Sequence, residues 1–505
     1  MGGIFMNYFL VNNLGNKLTG IEKSVINRFK LFHSNKIDSH IITLSWNPHL
    51  HKHSKIFGIN KNIFSMFDFF QEARHIHINT IKDWIEYWKC EQQYEIKYIP
   101  NTHDVRVFSN GTRIIYASFH DSEYKYLNYV NYFDSKGRKI KREHYDSRGF
   151  LSRIKYLTTK EKTVHESYLT PKGDVKLEVY YDPEAEKERI TRIILNNFHN
   201  RDYTFDNKNE LTAFFYENLY KDGDLFFSDK TGFTSPPFLL TDSKIPVVSV
   251  LHSTHVKNND DIEGSDTKNI YKSVFSNLNR FSGIIVSTKQ QKLDIERLIH
   301  SSIPVFNIPV GYTEHSTLPN VQTLPEGPIK LMSIARYSPE KQLDHQIRLV
   351  SKLKEDFDQI ELHLFGFGKE QQKLEDLVKT LNLEDNVKFR GFIPDLTSEM
   401  HSSHVSLITS NMEGFSLALL ESLSNGLPAI SYDIAYGPSE LIINDKNGYL
   451  VPKNDEDKLY ETVKTFLNNP ELQKSFRSAS IIEAQKYSQD EVIKKWHNLF
   501  NVIKS

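Results

Sequence analysis

Cysteine is nearly absent from this chain. Cys90 is the only cysteine among 505 residues, so no disulfide can form within one chain and a disulfide-stapled secreted fold is excluded. Long apolar runs are missing too. No stretch approaches the roughly 20 apolar residues of a membrane-spanning helix. The first residues lack the basic and apolar segments of a classical signal peptide. We therefore expect a cytoplasmic protein.

The sequence also lacks an excess of charge of either sign. Its 63 Lys and Arg residues balance 64 Asp and Glu residues, so the overall charge gives no argument for binding to nucleic acid or to a membrane. The length exceeds what one hydrophobic core can organise, and at roughly 100 to 200 residues per domain it predicts two to four domains.

A strand, loop, helix and strand pattern opens the chain, with an apolar strand at Tyr8–Val11 and a helix at Ile21–His33. The same alternation resumes after residue 200, where Val247–Leu251 and Gly283–Ser287 read as buried strands. We expect both segments to share one doubly wound sheet, which predicts an N-terminal Rossmann-like domain from residues 1–70 and 200–315.

Residues 71–199 follow a different pattern. Turn sequences recur with a twelve-residue spacing at Asp134–Gly137, Asp146–Gly149, Thr158–Glu161 and Thr170–Gly173, which predicts an inserted antiparallel β-meander. From residue 136 to 176 there are twelve Lys or Arg against five Asp or Glu. The insert can thus attract a polyanionic acceptor. A solvated sheet face, or an oligomer interface built from the insert's aromatic residues, explains the composition equally well.

Strands and helices alternate again in the C-terminal part, which predicts a second Rossmann-like domain at residues 316–487. A final helix at residues 488–505 carries an apolar stripe and is expected to dock on the rest of the protein. The predicted strands are Ile329–Ile334, Ile360–Phe365, Val387–Phe389, Val405–Ile408 and Ala429–Ser431, and the predicted helices are Leu343–Leu353, Glu370–Leu381 and Ser416–Leu423.

The segment around Glu413 is the most informative for function. Glu413 and Gly414 follow strand Val405–Ile408, and Glu421 lies in the next predicted helix. Ligands of parallel sheets bind at the carboxyl ends of the strands. The amides of residues 415–417, at the positive end of that helix, are suited to hold a phosphate. Two glutamates at this spacing also occur by chance in charged helices.

Two cations and two glycine-containing turns follow other strands of the same domain. Arg336 and Lys341 come after strand Ile329–Ile334 and can neutralise a diphosphate, although Arg336 can instead form a loop ion pair with Glu340. Gly366 and Gly368 allow a ligand to approach the backbone, or they simply end a strand. Phe392, after Gly391, can stack on a nucleobase or join the core.

Histidines form several groups. His252 and His255 follow strand Val247–Leu251, so either imidazole can meet a sugar or an acceptor hydroxyl. The alternating histidines at positions 49, 51, 53, 75 and 77 suggest zinc by spacing alone. No cysteine accompanies them, and we expect no metal site.

These motifs, taken in order and spacing, resemble the family 4 retaining glycosyltransferases with the GT-B fold. That resemblance implies two facing Rossmann-like domains that hold a nucleotide sugar. It implies that Arg336 and Lys341 hold the diphosphate, Glu421 the ribose, and Glu413 the sugar. Further donor contacts are implied for Gly20, Gly366, Phe392, Gly414, Phe415, Ser416 and Leu417, and His252 or His255 is implied at the reaction centre.

A narrower resemblance covers nearly the whole chain. The meander, together with Asp433–Ser439 and Asn447–Leu450, is similar to a Gram-positive subgroup that modifies wall teichoic acid or serine-rich and serine-aspartate-repeat adhesins. This chain has Thr19 and Gly20 where many relatives carry a Gly-Gly pair. The resemblance implies oligomerisation or acceptor binding through the insert and catalysis without a metal cofactor.

The resemblance implies transfer of GlcNAc from UDP-GlcNAc to serines of an acidic repeat adhesin. Glycosylation of a teichoic acid is the enzymatic alternative, because that acceptor is also a polyanion. A third alternative is a non-catalytic, acceptor-binding partner of a transferase. Such a partner need not keep Arg336, Lys341, Glu413 and Glu421, all of which are present.

Overall fold

The computed structural model describes residues 5–76, 82–313 and 323–504. These residues form three sheets. In chain order the strands are β1 (Asn7–Val11), β2 (Ser39–Thr43), β3 (Ile63–Ser65), β4 (Glu95–Tyr98), β5 (Asp104–Ser109), β6 (Thr112–Phe119), β7 (Leu127–Phe133), β8 (Lys139–Tyr145), β9 (Leu151–Leu157), β10 (Thr163–Leu169), β11 (Val175–Tyr181), β12 (Ile190–Phe198), β13 (Arg201–Phe205), β14 (Leu225–Ser228), β15 (Val247–Val250), β16 (Gly283–Val286), β17 (Val305–Asn307), β18 (Ile329–Ile334), β19 (Ile360–Phe365), β20 (Val387–Gly391), β21 (Val405–Ile408), β22 (Ala429–Asp433) and β23 (Gly448–Pro452).

The helices connect and cover these strands. They are α1 (Gly20–Ser34), α2 (Leu50–Ile56), α3 (Met66–Phe70), α4 (Trp84–Glu86), α5 (Lys208–Leu219), α6 (Thr231–Thr234), α7 (Lys272–Phe275), α8 (Lys289–Leu298), α9 (Leu343–Leu353), α10 (Gln371–Thr380), α11 (Thr397–His401), α12 (Leu417–Ser424), α13 (Pro438–Leu441), α14 (Glu456–Leu467), α15 (Pro470–Ala484) and α16 (Gln489–Lys504). In the described segments, no helix is both long and apolar enough to cross a bilayer.

The first sheet has seven strands in the order β17-β16-β15-β14-β1-β2-β3. Its register is parallel between β1, β2 and β3 and between β15, β16 and β17. The strand order reverses after β1, as expected for a doubly wound sheet. The predicted strands and helices of this part are confirmed, with ends that differ from the structure by one or two residues.

By contact density the chain divides into two compact units. One comprises Met1–Asn16, Asp38–Phe226 and Phe233–Pro246, and the other comprises Lys17–Ile37, Phe227–Gly232 and Val247–Ser505. The domain boundaries predicted from the sequence rest on the order of the predicted strands and helices, which is a different criterion from contact density. These boundaries stay a prediction.

The inserted β-meander is confirmed. Strands β4 to β13 form one ten-stranded antiparallel sheet in chain order, and β7 to β11 begin every twelve residues. Each predicted turn closes with a backbone hydrogen bond from its fourth to its first residue, at 2.8 to 2.9 Å. The fourth residue has a positive φ in all four turns, which suits glycine at three of them and places Glu161 in the fourth.

The last sheet has six parallel strands in the order β20-β19-β18-β21-β22-β23. Strands β18 and β21 and helix α9 have the predicted bounds. In α9, Leu343, Ile347 and Val350 recur at helical spacing and are all buried in the core of this part. The prediction missed strand β23 and helices α14 and α15.

The final helix α16 packs through its apolar stripe, as predicted. Val492, Trp496 and Leu499 are buried. The Trp496 ring meets Phe32 edge-on at 5.1 Å and Phe227 at 5.5 Å between ring centroids.

Candidate active site

The strand order of the six-stranded sheet places two predicted loops side by side. The chain winds from β18 through β19 to β20 on one side and from β21 through β22 to β23 on the other. The switch point therefore lies between β18 and β21, where open α/β sheets bind their ligands. The carboxyl end of β18 leads to Arg336 and Lys341, and that of β21 leads to Glu413.

Lys341 and Glu413 meet across this switch point. The Lys341 Nζ lies 2.6 Å from Glu413 Oε1, and Ser410 Oγ donates to the same oxygen at 2.8 Å. Thr409 Oγ1 donates to the carbonyl oxygens of Lys341 and Gln342 at 3.1 and 2.9 Å. The two loops are thus fixed to each other by both side-chain and backbone groups.

Arg336 lies at the edge of the same site. Its guanidinium pairs with Glu340, as the loop alternative predicted, and its side chain is 56% exposed. The Glu340 carbonyl accepts from the Asn411 amide at 2.9 Å. Arg336 is therefore held beside the Glu413 loop and is open to solvent.

The two glycines of the Gly366-x-Gly368 turn shape the loop that carries Arg336. A Cβ on Gly366 would lie 1.9 Å from the Ala335 carbonyl oxygen, and one on Gly368 would lie 2.1 Å from that of Tyr337. The Ala335 and Tyr337 amides donate hydrogen bonds to the carbonyl oxygens of Phe365 and Phe367, which hold the two segments together. The close approach seen here is thus to the protein's own backbone, and donor contact by Gly366 stays a prediction.

Gly414 and Gly437 have a similar packing role around Glu413. A Cβ on Gly414 would lie 2.3 Å from the His252 carbonyl oxygen. A Cβ on Gly437 would lie 2.4 Å from that of Phe415. The Phe415 ring is buried against Tyr487, at 5.6 Å between centroids. Substitution of either glycine would displace the backbone next to Glu413.

Helix α12 begins one residue later than predicted. Ser416 is its N-cap residue, with a left-handed backbone at φ 72° and no side-chain capping bond. The first amides of a helix have no partner within it and carry the positive end of its dipole. The geometry at Ser416 and Leu417 is therefore compatible with the predicted anion contact.

Glu421, on the first turns of α12, pairs with a residue that the sequence analysis missed. Lys23 Nζ, from α1, lies 2.5 Å from Glu421 Oε1, and both side chains are partly exposed. The start of α1 is fixed by a capping box between Thr19 and Glu22. Gly20 is the first residue of that helix, and a Cβ there would meet nothing within 4 Å.

His252 belongs to a buried network that the sequence analysis also missed. His252 Nε2 lies 2.8 Å from Asp229 Oδ1, and the other oxygen of Asp229 pairs with Arg28. The Asp229 side chain is 0% exposed, and those of His252 and Arg28 are each 7% exposed. Asp229 directly follows strand β14. Its position at the end of a buried strand is the signal by which it could have been recognised in the sequence.

His255 has a different environment. It is 1% exposed, its ring stacks near Tyr436 at 6.3 Å, and neither ring nitrogen has a hydrogen-bond partner among the described residues. Burial lowers the pKa of His255 to about 4, so the imidazole is neutral at pH 7. Tyr436 in turn donates its amide to the Glu413 carbonyl at 3.2 Å. Which histidine acts at the reaction centre stays a prediction.

Phe392 is half-buried beside Phe367, with 6.1 Å between the ring centroids. Lys17 Nζ lies 4.9 Å from the Phe367 ring centroid. The pair of rings leaves part of Phe392 open, so its stacking on a base stays a prediction.

No metal centre was predicted. Within the three described segments, no group of three or more His, Cys, Asp or Glu side chains is arranged to hold a metal ion. His49 instead packs edge-on against His120 at 4.9 Å and tilted against His53 at 5.8 Å, while His77 lies outside the described residues. The independence of the reaction from metal stays a prediction.

Comparison with known proteins agrees with this geometry. The family model described as "Glycosyl transferases group 1" matches residues 315–482, and a family model of an accessory Sec system protein matches residues 8–306. The switch-point loops with Arg336, Lys341 and Glu413 lie within the first match.

Two curated relatives match nearly the whole chain. A poly(glycerol-phosphate) alpha-glucosyltransferase of Bacillus subtilis is 25% identical over 97% of this chain and 74% of its own length. A poly(ribitol-phosphate) alpha-N-acetylglucosaminyltransferase of Staphylococcus aureus is 25% identical over 98% of this chain and 99% of its own.

Among solved structures, the pneumococcal O-GlcNAc transferase GtfA in complex with UDP and GlcNAc has the same fold. It superposes with a TM-score of 0.87 at 18% identity and covers 100% of both chains. The expected GT-B architecture with an inserted antiparallel meander is confirmed. Residues 315–482 form a group 1 glycosyl transferase domain, and the chain belongs to the family of that accessory Sec system protein, whose model matches residues 8–306.

Proposed function

We propose that this protein is a retaining family 4 hexosyltransferase that works in the cytoplasm. It transfers GlcNAc from UDP-GlcNAc to serine hydroxyls of a serine-aspartate-repeat surface adhesin. The observation that carries the proposal is the meeting of Lys341 and Glu413 across the switch point, with Arg336 beside them and the start of α12 directly after Glu413.

Each group has a role in the proposed donor complex. Arg336, Lys341 and the first amides of α12 bind the diphosphate, because fixed cations and helix N-termini both stabilise phosphate charge. Glu421 accepts hydrogen bonds from the ribose and Glu413 from the sugar. The base stacks near Phe392.

The proposed reaction breaks the bond between C1 of GlcNAc and the β-phosphate oxygen. The acceptor oxygen forms its bond to C1 on the face that the diphosphate leaves, and the hydroxyl proton passes to that diphosphate. Arg336 and Lys341 stabilise the negative charge that builds on the leaving diphosphate. In a site that excludes water, electrostatic stabilisation of this kind is usually the largest single contribution to catalysis. No metal cofactor is required, since these cations supply the positive charge.

The acceptor is supported by charge. A serine-aspartate repeat is acidic, and the meander carries twelve Lys or Arg against five Asp or Glu between residues 136 and 176. We also propose that the meander joins copies of the chain into a homo-oligomer, since its surface carries exposed tyrosines such as Tyr98, Tyr126 and Tyr156.

Transfer to a teichoic acid is the second candidate function. One observation favours it, namely the match of the poly(ribitol-phosphate) transferase over 98% of this chain. A polyol phosphate is also a polyanion, so the charge of the meander does not distinguish the two acceptors. A non-catalytic acceptor-binding partner is the third candidate, and the presence of Arg336, Lys341, Glu413 and Glu421 argues against it.

Intact-mass spectrometry tests the proposal. The protein is incubated with UDP-GlcNAc or UDP-Glc and with a serine-aspartate-repeat polypeptide, poly(ribitol phosphate) or poly(glycerol phosphate). We expect the mass of one or more HexNAc groups on the polypeptide, and proton NMR of the product is expected to give an α-linkage. Modification of a teichoic acid alone would establish the second function instead.

A matched pair of variants separates an active site from a binding site. Glu413→Gln is expected to lower the rate of transfer at least a hundredfold, because it removes the carboxylate charge between Lys341 and Ser410. The melting temperature should stay close to that of the native protein. The control is Glu471→Gln, an 83% exposed glutamate paired with Lys474, which should retain full activity. Full activity of Glu413→Gln would remove this residue from the mechanism.

A further inference from the structure

Lys268 is a lysine whose ammonium group turns inward beside the Glu413 loop. Its Nζ lies 2.6 Å from Thr254 Oγ1, 3.2 Å from Ser253 Oγ and 2.7 Å from Met412 Sδ. Its own amide donates to the His255 carbonyl at 2.8 Å. The backbone at Lys268 is thus anchored to the loop that follows β15, and its side chain reaches the residue before Glu413.

The segment that carries Lys268 touches the same loop at a second point. Asn259 Nδ2 donates to the Asn411 carbonyl at 3.3 Å, and Ser253 Oγ lies 3.3 Å from Met412 Sδ. Asn411 in turn donates its amide to Glu340. Lys268 therefore lies in a continuous set of contacts that leads to the loop of Arg336 and Lys341.

Three other cations of this region already have carboxylate partners. Lys341 pairs with Glu413, Arg336 with Glu340, and Lys23 with Glu421. Lys268 differs, because no carboxylate of the described residues lies within 4.0 Å of its ammonium. Two hydroxyls and a thioether sulfur are neutral acceptors, and the sulfur is a weak one.

An ammonium in such a place costs free energy unless an anion compensates it. Burial lowers the pKa of Lys268 to about 8, and the charge of Glu340 opposes that shift. His255, the other titratable group facing it, is neutral at pH 7 because burial lowers its pKa to about 4. Lys268 is thus charged at neutral pH and gains most from an incoming anion.

We propose that Lys268 is a third cation of the donor diphosphate site and donates a hydrogen bond to an oxygen of the leaving diphosphate. This inference rests on the proposed function, because it takes a nucleoside diphosphate as the ligand. Arg336 and Lys341 reach the diphosphate from the six-stranded sheet, whereas Lys268 comes from the segment between β15 and α7. Unlike Arg336 and Lys341, it can meet the phosphate without leaving a carboxylate partner.

Calorimetric titration with UDP and with uridine tests the proposal. Lys268→Met is expected to weaken UDP binding roughly tenfold, as for the loss of a charge-assisted hydrogen bond, and to leave uridine binding unchanged. Lys268→Arg should keep most of the UDP affinity. The matched control is Lys257→Met, because Lys257 lies on the same segment but pairs with Asp266 on the surface, and it should bind UDP like the native protein.

The pH dependence gives a second readout that a purely structural role would not change. A bound anion raises the pKa of Lys268, so UDP binding takes up a proton near and above pH 8 and the affinity falls as the pH rises from 7 to 9. Titrations in buffers of different ionisation enthalpy measure this uptake. Lys268→Met should abolish it.

Equal UDP affinity and equal proton uptake in the native protein and in folded Lys268→Met would overturn the proposal. A rise in the acceptor KM with unchanged UDP binding would also overturn it and would assign Lys268 to an acidic acceptor. Failure of the proposed function would give a different result, namely UDP binding without sugar transfer. In that case the assignment of Lys268 would still stand on the binding data.

Discussion

Asp229 is the residue on which the buried charges near His252 depend. It has no exposed side-chain surface and meets both Arg28 and His252. Removing one partner of a buried ion pair leaves the other charge uncompensated, at a cost of about 3 to 5 kcal/mol. We expect Asp229→Asn to lower the free energy of unfolding by that amount, measured by urea denaturation.

The double variant Asp229→Asn with Arg28→Met is the control for this prediction. Because it removes both charges, it should recover most of the lost stability, whereas Arg28→Met alone should not. The Arg28 guanidinium also lies 5.3 Å from the Phe227 ring and 5.4 Å from the Trp496 ring, which a methionine can still contact. Native stability of Asp229→Asn would show that the carboxylate charge is not needed.

Gly20 allows a test of ligand approach without a packing defect. A Cβ at this position meets no atom within 4 Å, and alanine is the better helix former. We expect Gly20→Ala to fold at least as well as the native protein and to weaken UDP binding, because in the proposed donor complex the new methyl group stands where the donor approaches the start of α1. The measurements are the melting temperature and the dissociation constant of UDP.

Gly149→Ala makes the opposite comparison. Its neighbourhood is equally open, but its φ is 100°, so alanine is strained by about 1 to 2 kcal/mol. That variant should melt earlier and bind UDP normally. Unchanged UDP affinity of Gly20→Ala would remove Gly20 from the donor site.

Two helices share the Lys23 and Glu421 ion pair, and this pair competes with the proposed ribose contact. Lys23 is 39% exposed and Glu421 29% exposed, so the pair contributes no more than about 1 kcal/mol. Lys23→Met frees Glu421, and we expect UDP to bind up to about fivefold more tightly. Calorimetry measures the change, and weaker binding would mean that Lys23 itself contacts the nucleotide.

Individual strands and helices were the part of this structure that the sequence predicted best. Strands Ile329–Ile334 and Val405–Ile408 and helix Leu343–Leu353 have the predicted bounds, because buried runs and helical spacing are local signals. The meander followed from a repeated turn whose last residue must adopt a positive φ. The place of Arg336, Lys341 and Glu413 at one sheet edge followed from the rule for parallel strands.

Partners distant in sequence could not be predicted in this way. Lys23 meets Glu421 across 398 positions, and Asp229 meets Arg28 across 201. No local pattern encodes such a pair, since it results from how whole elements pack. The role of the Gly366 turn was hidden for the same reason, because the backbone that approaches it belongs to the loop after another strand.

Charge distribution is the property of the whole molecule that bears on its acceptor. The formal charge is only -1, and the structure compensates much of the basic excess of the meander. Lys139 pairs with Glu161, Arg153 with Glu166 and Lys176 with Glu72. The positive surface available to a polyanion is therefore smaller than the sequence count indicates.

Lys136 and Lys160 are two of the basic residues left without such a partner, and they define a testable surface. Both are exposed, and no carboxylate of the described residues lies within 4.0 Å of either ammonium. They occupy the same position in turns two repeats apart, so in an antiparallel meander they lie at the same end of the strands. The ion pair between Lys139 and Glu161 links those two turns.

Reversing both charges, with Lys136→Glu and Lys160→Glu, should raise the KM for the anionic acceptor severalfold at low ionic strength and leave kcat unchanged. The difference should shrink as salt is added, because exposed charges are screened within about 10 Å at 0.1 M salt. The control reverses Lys379 and Lys458, two exposed lysines of the second unit, and makes the same change in net charge. If both double variants raise KM equally, net charge rather than the turns of the meander attracts the acceptor; if neither does, the acceptor binds elsewhere.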